Sequence, residues 1–259
     1  MKSLLPAAVA VCLAAPAMAA DIPVKAPLAA PVFTWAGCYV GVNGGYGFTR
    51  KRDLNDTEFT NNIPGATARF GSLDPNGGFA GGQLGCNTML WGGPWLLGIE
   101  ADAHWANFNS SIGATVNNFL PGGLNATVTV DEHVRAFGTL RARFGYTWDR
   151  TLVYATGGFA WARVNYNFLF VDNFNFRAET NSRSMRGGYT IGGGIEHAFT
   201  QNLSLKVEYQ YIDLGGENYV APLFFMTNPP VPTVFSEHTG RRYDFHTVRA
   251  GLNWKLWQP

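Results

Sequence analysis

Long apolar runs are missing from this chain once its first twenty residues are passed. A spanning helix needs ~18 or more consecutive apolar residues, so none can be placed there. Charge is scarce too: Asp, Glu, Lys and Arg make up 14% of the sequence, 18 acids against 19 bases. Such a balance leaves no basic footprint for a nucleic acid, and no partner of that kind is expected. Cysteine is limited to three residues, Cys12, Cys38 and Cys86. The residues place no cofactor site and no metal site.

What the chain has instead is alternation. Segments of about ten residues carry apolar side chains at every second position, which is the length a tilted strand needs to cross a bilayer. A bilayer offers no water to unpaired backbone groups, so a spanning chain must be helical or a closed sheet without an edge. With helices excluded, the expected fold is all-β: an eight-stranded antiparallel transmembrane β-barrel with short periplasmic turns and four longer extracellular loops.

The N-terminus sets the compartment. Lys2 precedes an uncharged run, Ser3 to Ala20, whose Ala17-Met18-Ala19 has the small-x-small pattern of a signal-peptide cleavage site. Cleavage between Ala19 and Ala20 is expected, with residues 1–19 as signal peptide, 20–34 as a Pro-rich periplasmic leader and 35–259 as barrel. Loss of Lys2 leaves 18 bases against 18 acids. The apolar run also removes Cys12.

Eight strands are expected at about residues 35–48, 78–90, 95–105, 134–146, 151–166, 186–199, 203–213 and 243–256. Gly92-Gly93-Pro94, Trp148-Asp149-Arg150 and Thr200-Gln201-Asn202 supply the short turns. The tryptophans agree, because amphipathic rings prefer the membrane–water interface. Trp35, Trp91, Trp95, Trp148, Trp254 and Trp257 fall at periplasmic strand ends, and Trp105 and Trp161 near outer ends.

Alternation also divides the faces. Trp95, Leu97, Ile99, Ala101, Ala103 and Trp105 share one side of a strand, and Glu100, Asp102 and His104 the other. Extending this parity sends four acids, Glu100, Asp102, Glu196 and Glu208, and five bases, Arg141, Arg143, Lys206, Arg249 and Lys255, into the lumen. An eight-stranded interior is only wide enough for side chains. Charges buried there must be paired, so an ion-pair network filling the lumen is expected.

Several short stretches, in order, resemble a known family: Trp35-Ala36-Gly37-Cys38-Tyr39-Val40-Gly41, Gly81-Gly82-Gln83-Leu84-Gly85, Gly98-Ile99-Glu100-Ala101-Asp102, Tyr154-Ala155-Thr156-Gly157-Gly158 and Lys206-Val207-Glu208-Tyr209. They are similar to the alphaproteobacterial outer-membrane immunogenic proteins, a branch of the opacity-type, OmpA-like porin family. The resemblance implies an abundant surface protein with structural and antigenic roles, or else a low-conductance pore or a haemin-binding protein. It also implies recognition of the last strand by the barrel-assembly machinery. Gly251, Trp254 and Leu256 fit the spacing for that, whereas Trp257-Gln258-Pro259 replaces the usual aromatic end.

Other candidates carry competing explanations. Cys38 and Cys86 share the lipid-facing parity of adjacent strands in an oxidising compartment, which suits a disulfide if their Cα atoms approach within ~7 Å; otherwise they are two small apolar residues facing lipid. Arg163, Arg183, Arg186, Arg241 and Arg242 gather at outer strand ends, where guanidinium groups would contact lipopolysaccharide phosphates or simply be solvated. His104 with Asp102 suggests rim acid–base chemistry, but no nucleophile accompanies them, so no enzyme is expected. Pro222-Leu223-Phe224-Phe225-Met226 and Pro229-Pro230-Val231-Pro232 mark the last loop as a place for host or small-molecule ligands.

Overall fold

The computed structural model describes residues 33–49, 53–54, 70–72, 74–116, 125–173, 177–225 and 231–257. The expected signal peptide, its cleavage point at Ala19 and Ala20, and nearly all of the 20–34 leader lie outside them. Among the described residues there are ten strands: β1 Gly37–Phe48, β2 Asp53–Leu54, β3 Phe70–Ser72, β4 Gly77–Leu90, β5 Trp95–Val116, β6 Ala126–Trp148, β7 Thr151–Asp172, β8 Arg177–Ala198, β9 Leu203–Phe225 and β10 Val231–Trp257. Eight close into one barrel in the order β1-β10-β9-β8-β7-β6-β5-β4, with β2 and β3 forming a separate small ribbon. Every barrel neighbour is antiparallel, and β1 closes the ring against β10 from Phe48↔His246 to Cys38↔Trp257. Closure removes the unpaired edge that lipid cannot accept.

Period-two burial runs through the strands. On β5, Leu96, Glu100, Asp102 and His104 are buried while Leu97, Ile99 and Trp105 are exposed. On the outward side Val40, Leu84, Leu140, Ile191, Val207 and Leu252 form an apolar belt. From Trp95 to Trp105 that belt covers ten steps of β5, which at ~3.3 Å per residue and ~40° tilt gives ~25 Å, the height of a hydrocarbon band. Trp91, Trp105, Trp148 and Trp254 are exposed at or near its limits, as amphipathic rings at an interface should be. The turn after β4 is tight: the Gly93 amide donates to the Leu90 carbonyl at 3.0 Å, with Trp91 and Gly92 both at positive φ, 52° and 63°.

Two differences from the sequence expectation concern height and the first tryptophan. Strands β5, β6, β7 and β8 run for 22, 23, 22 and 22 residues, about twice what a crossing needs. The fourth barrel strand begins at Ala126 rather than near Val134, and the sixth at Arg177 rather than near Arg186. Above the membrane both faces of a strand meet water, so the apolar alternation that marks a crossing strand disappears while the ladder continues. Trp35 does sit at the periplasmic end, but inside the mouth: it is 5% exposed, and its Nε1 donates to the Asp149 carbonyl at 3.2 Å. Phe33 packs edge-on against it at 5.2 Å.

Candidate functional site

The lumen is built in three layers. At the periplasmic end Trp35, Leu96, Leu152, Tyr154 and Ala198 pack together with Phe33 and Met89 against them. Toward the outside Phe79, Phe108, Phe137, Val134, Val164, Ile212, Leu214, Tyr243 and Phe245 form a second apolar cluster. Its rings meet mostly edge-to-face, with Phe79 5.1 Å from Phe137 and Phe108 5.5 Å from Phe245.

Between these layers lie the charges. Arg141 bonds Glu100, reaches Glu208 at 2.8 Å and Asp102 at 3.0 Å, and donates from Nε to Thr139 Oγ1 at 2.8 Å. Arg249 contacts Glu208 and lies 3.0 Å from Asp102. Arg143 bridges Glu196 at 2.7 Å and Glu100 at 3.3 Å. Lys206 approaches Glu100 at 2.7 Å and Glu208 at 3.8 Å. These pairs link four carboxylates to four cations, and every one of those side chains is at most 3% exposed.

Neutral groups fill the remaining valences. Tyr39 Oη donates to Glu100 and accepts from Arg143. Tyr154 Oη donates to Glu208 at 2.6 Å, and the Thr139 amide and hydroxyl donate to Asp102 at 3.0 and 2.8 Å. Ser204 and Asn253 donate to Glu196, the latter at 2.7 Å. Inward glycines make room for the two phenols: a Cβ on Gly85 would lie 2.5 Å from Tyr39 Oη, and one on Gly194 2.8 Å from Tyr154 Oη. Tyr39 and Tyr154 were not singled out from the sequence, although their inward parity, each between two outward residues, was there to find them.

Other sequence candidates fall differently. Lys255 is half-buried at the periplasmic mouth, where it donates to the Thr34 carbonyl and sits 4.7 Å from the Phe33 ring; among the described residues it is not part of the ion-pair network. Its strand has already reached the interface there, and a backbone oxygen is nearer than any lumen carboxylate. Without it the network balances, four against four. Arg186 is a second correction. It is 6% exposed and directed inward, its guanidinium 4.1 Å from the Tyr243 ring, so it does not face lipopolysaccharide; β8 parity places it with Thr190 and Glu196. Arg163 and Arg183 are exposed on the outward face. The side chains of Arg241 and Arg242, and those of the last loop's apolar run, lie outside the described residues.

His104 is held between Phe137, stacked at 4.6 Å, and Phe79, with Nε2 2.7 Å from Asn43 Oδ1. Its Nδ1 lies 3.5 Å from Asp102 Oδ1, and both side chains are wholly buried. A hydrolytic pair needs substrate access that this position lacks.

Cys38 and Cys86 are bonded through their sulfurs, with Cα atoms 4.0 Å apart. They are direct partners in the β1–β4 ladder, on the lipid-facing side near the periplasmic end. Thiol titration of the folded, unreduced protein lacking residues 1–19, and with them Cys12, will therefore find no free thiol, and two after reduction; two before reduction would contradict the bond.

A closed antiparallel ring with an apolar belt outside and paired charges inside defines an outer-membrane β-barrel. The family model for the outer membrane protein beta-barrel domain matches residues 5–255, and the chain belongs to that family. It is 38% identical to the 31 kDa outer-membrane immunogenic protein of Brucella melitensis, over 99% of this chain and all of that protein. It is 30% identical to the 25 kDa outer-membrane immunogenic protein of Brucella abortus, over 81% of this chain and 80% of that one. Among solved structures, the outer membrane protein OprG of Pseudomonas aeruginosa aligns with a TM-score of 0.45 at 13% identity, covering 88% of this chain and all of that one.

Proposed function

We propose that this protein is a non-catalytic surface protein whose lumen is closed, so that the barrel acts as a stiff outer-membrane element and presents its tall extracellular strands and loops to the surroundings. The observation that carries this is the ionic layer sealed between two apolar ones. Arg141, Arg143 and Arg249 are among the largest fully buried side chains; a cavity on the periplasmic side of the layer, beside Glu196 and Asn253, and one in the outer apolar cluster, beside Phe108 and Phe245, are each about 20 Å³, room for about one water molecule. A hydrated ion crossing the barrel would have to break several desolvated pairs at once.

Single-channel recording of the refolded protein in a planar bilayer tests this, with heat-modifiable gel migration showing that the barrel has formed. A folded and silent barrel is the expected result. Steady, discrete openings would overturn it in favour of a low-conductance pore.

A further inference from the structure

The outward face carries a groove that plays no part in the lumen. On β7 and β8 the register sets Phe159 opposite Tyr189, Trp161 opposite Gly187, and Arg163 opposite Met185. The Trp161 indole leans the other way, over β6, where a Cβ on Gly138 would come within 2.7 Å of its Cζ2. Gly187 has no side chain to refill the space, and Phe159 borders it, 3.1 Å from where a Gly187 Cβ would be. What remains is a groove of about 390 Å³ lined by Phe159, Trp161, Met185, Arg186 and Gly187. That volume lies within the ~300–1,000 Å³ range of ligand clefts. Beside it the β8–β9 ladder ends at Tyr189↔Asp213, whereas β7–β8 continues to Val171↔Arg177.

Cations stand immediately beyond its outer end. Outward residues on a strand recur every ~6.7 Å, so Arg163 is one such step above Trp161, and Arg183 one step above Met185. Arg183 pairs across the ladder with Asn165. On the neighbouring strand a bulge between Val134 and Ala136 leaves Arg135 out of the β6–β7 register, beside Arg163. All three arginines are exposed. Among the described residues none of them makes an ion pair; Arg135 donates to Asn107 Oδ1 at 3.5 Å.

An apolar groove in the hydrocarbon band, capped by unpaired guanidinium groups where that band ends, is complementary to one kind of molecule: an acylated lipid with a phosphate at the root of its chains. Guanidinium forks suit phosphate oxygens, and the groove suits a chain. We infer that this face of β6, β7 and β8 binds lipopolysaccharide of the outer leaflet, one acyl chain lying over Gly187 and a phosphate held by Arg163 and Arg183 with Arg135 beside them. Of the arginines the sequence suggests, this keeps Arg163 and Arg183, adds Arg135 and drops Arg186, which is inside. It rests on the outer-membrane placement alone, so it stands or falls independently of whether the lumen conducts.

The test uses the full folded chain in detergent micelles and fluorescently labelled lipopolysaccharide, read by anisotropy, with heat-modifiable migration reporting the fold. Arg163→Gln/Arg183→Gln is expected to weaken binding about tenfold through loss of two charge-assisted contacts. Gly187→Leu, which fills the groove and leaves the arginines in place, is expected to weaken it about threefold or more. Dephosphorylated lipopolysaccharide should bind the parent as weakly as intact lipopolysaccharide binds the double variant. Parent-like binding by both variants would overturn the site. Complete displacement by inorganic phosphate at the same concentration as the lipid would reduce it to a simple anion site and overturn the groove. Because both arginines are exposed, the double variant keeps the test open even if Gly187→Leu fails to fold.

Discussion

Arg141→Met will lower the unfolding free energy of the barrel by ~3–5 kcal/mol, the loss expected when one partner is taken from a buried ion network. Arg141 touches three of the four carboxylates of the ion-pair network, Glu100, Asp102 and Glu208. Methionine fills much of the same volume, so the effect is charge rather than cavity. What remains is four carboxylates facing Arg143, Lys206 and Arg249, with one negative charge uncompensated between two apolar layers. Burial of that charge, not loss of attraction as such, is the source of the penalty. Urea titration of the protein in lipid vesicles, followed by the folded band on unheated gels, measures it.

A second substitution separates this cause from ordinary packing damage. Arg141→Met/Asp102→Asn brings the network to three carboxylates and three cations, and the Asn oxygen can still accept from the Thr139 amide that now bonds Asp102 at 3.0 Å. The double variant should recover ~1–2 kcal/mol relative to Arg141→Met, a coupling of the size seen between contacting residues. If the single variant is as stable as the parent, the lumen is wetter than its burial implies and the sealed-layer account fails. If it is destabilised and the second change recovers nothing, packing around Arg141 is the cause.

The faces of the strands were legible in the sequence and their heights were not. Inside the hydrocarbon band the two sides of a strand meet different solvents, so Glu100 between Ile99 and Ala101, or Arg141 between Leu140 and Ala142, declares its direction. The same parity rule also placed Arg186 inward, and it was misread because a rim arginine suggests the surface before its register is counted. Lys255 fails for the opposite reason: its parity is right, but it stands at the end of the barrel, where the Thr34 carbonyl is within reach. Trp35 shows that aromatics at a rim have two destinations, the interface or the mouth. The aromatic layer above the charges was hidden because Phe79, Phe108, Phe137 and Phe245 are apolar on the inward side, so they break the polar-in rule that identified the rest. Beyond the band, Ala126 to His133 and Arg177 to Ser184 are strands in water, and there a polar strand and a polar loop read alike. The Cys38–Cys86 bond depended on ladder register, which alternation alone leaves free to slip.

Leu140→Arg will destabilise the barrel by ~2–4 kcal/mol, the depth-dependent loss for a cation on the lipid face near the midplane. Leu140 is 58% exposed and lies opposite Ala101 on β5 and Phe159 on β7, roughly halfway along the outward belt between Trp105 and Trp95. It is also the immediate chain neighbour of Arg141, a fully buried cation. Two guanidinium groups one residue apart on the same strand would then meet opposite surroundings, three carboxylates for Arg141 and hydrocarbon for the new side chain. Placing the same substitution at Met185, which pairs with Arg163 at the outer limit of the belt, should bring the loss down to ~0–1 kcal/mol, since an interface accepts the charge. Both variants are compared with the parent by urea titration in vesicles. Equal losses at positions 140 and 185 would mean that the belt is not the hydrocarbon boundary, and the assignment of membrane depth along β6 to β8 would have to move with it.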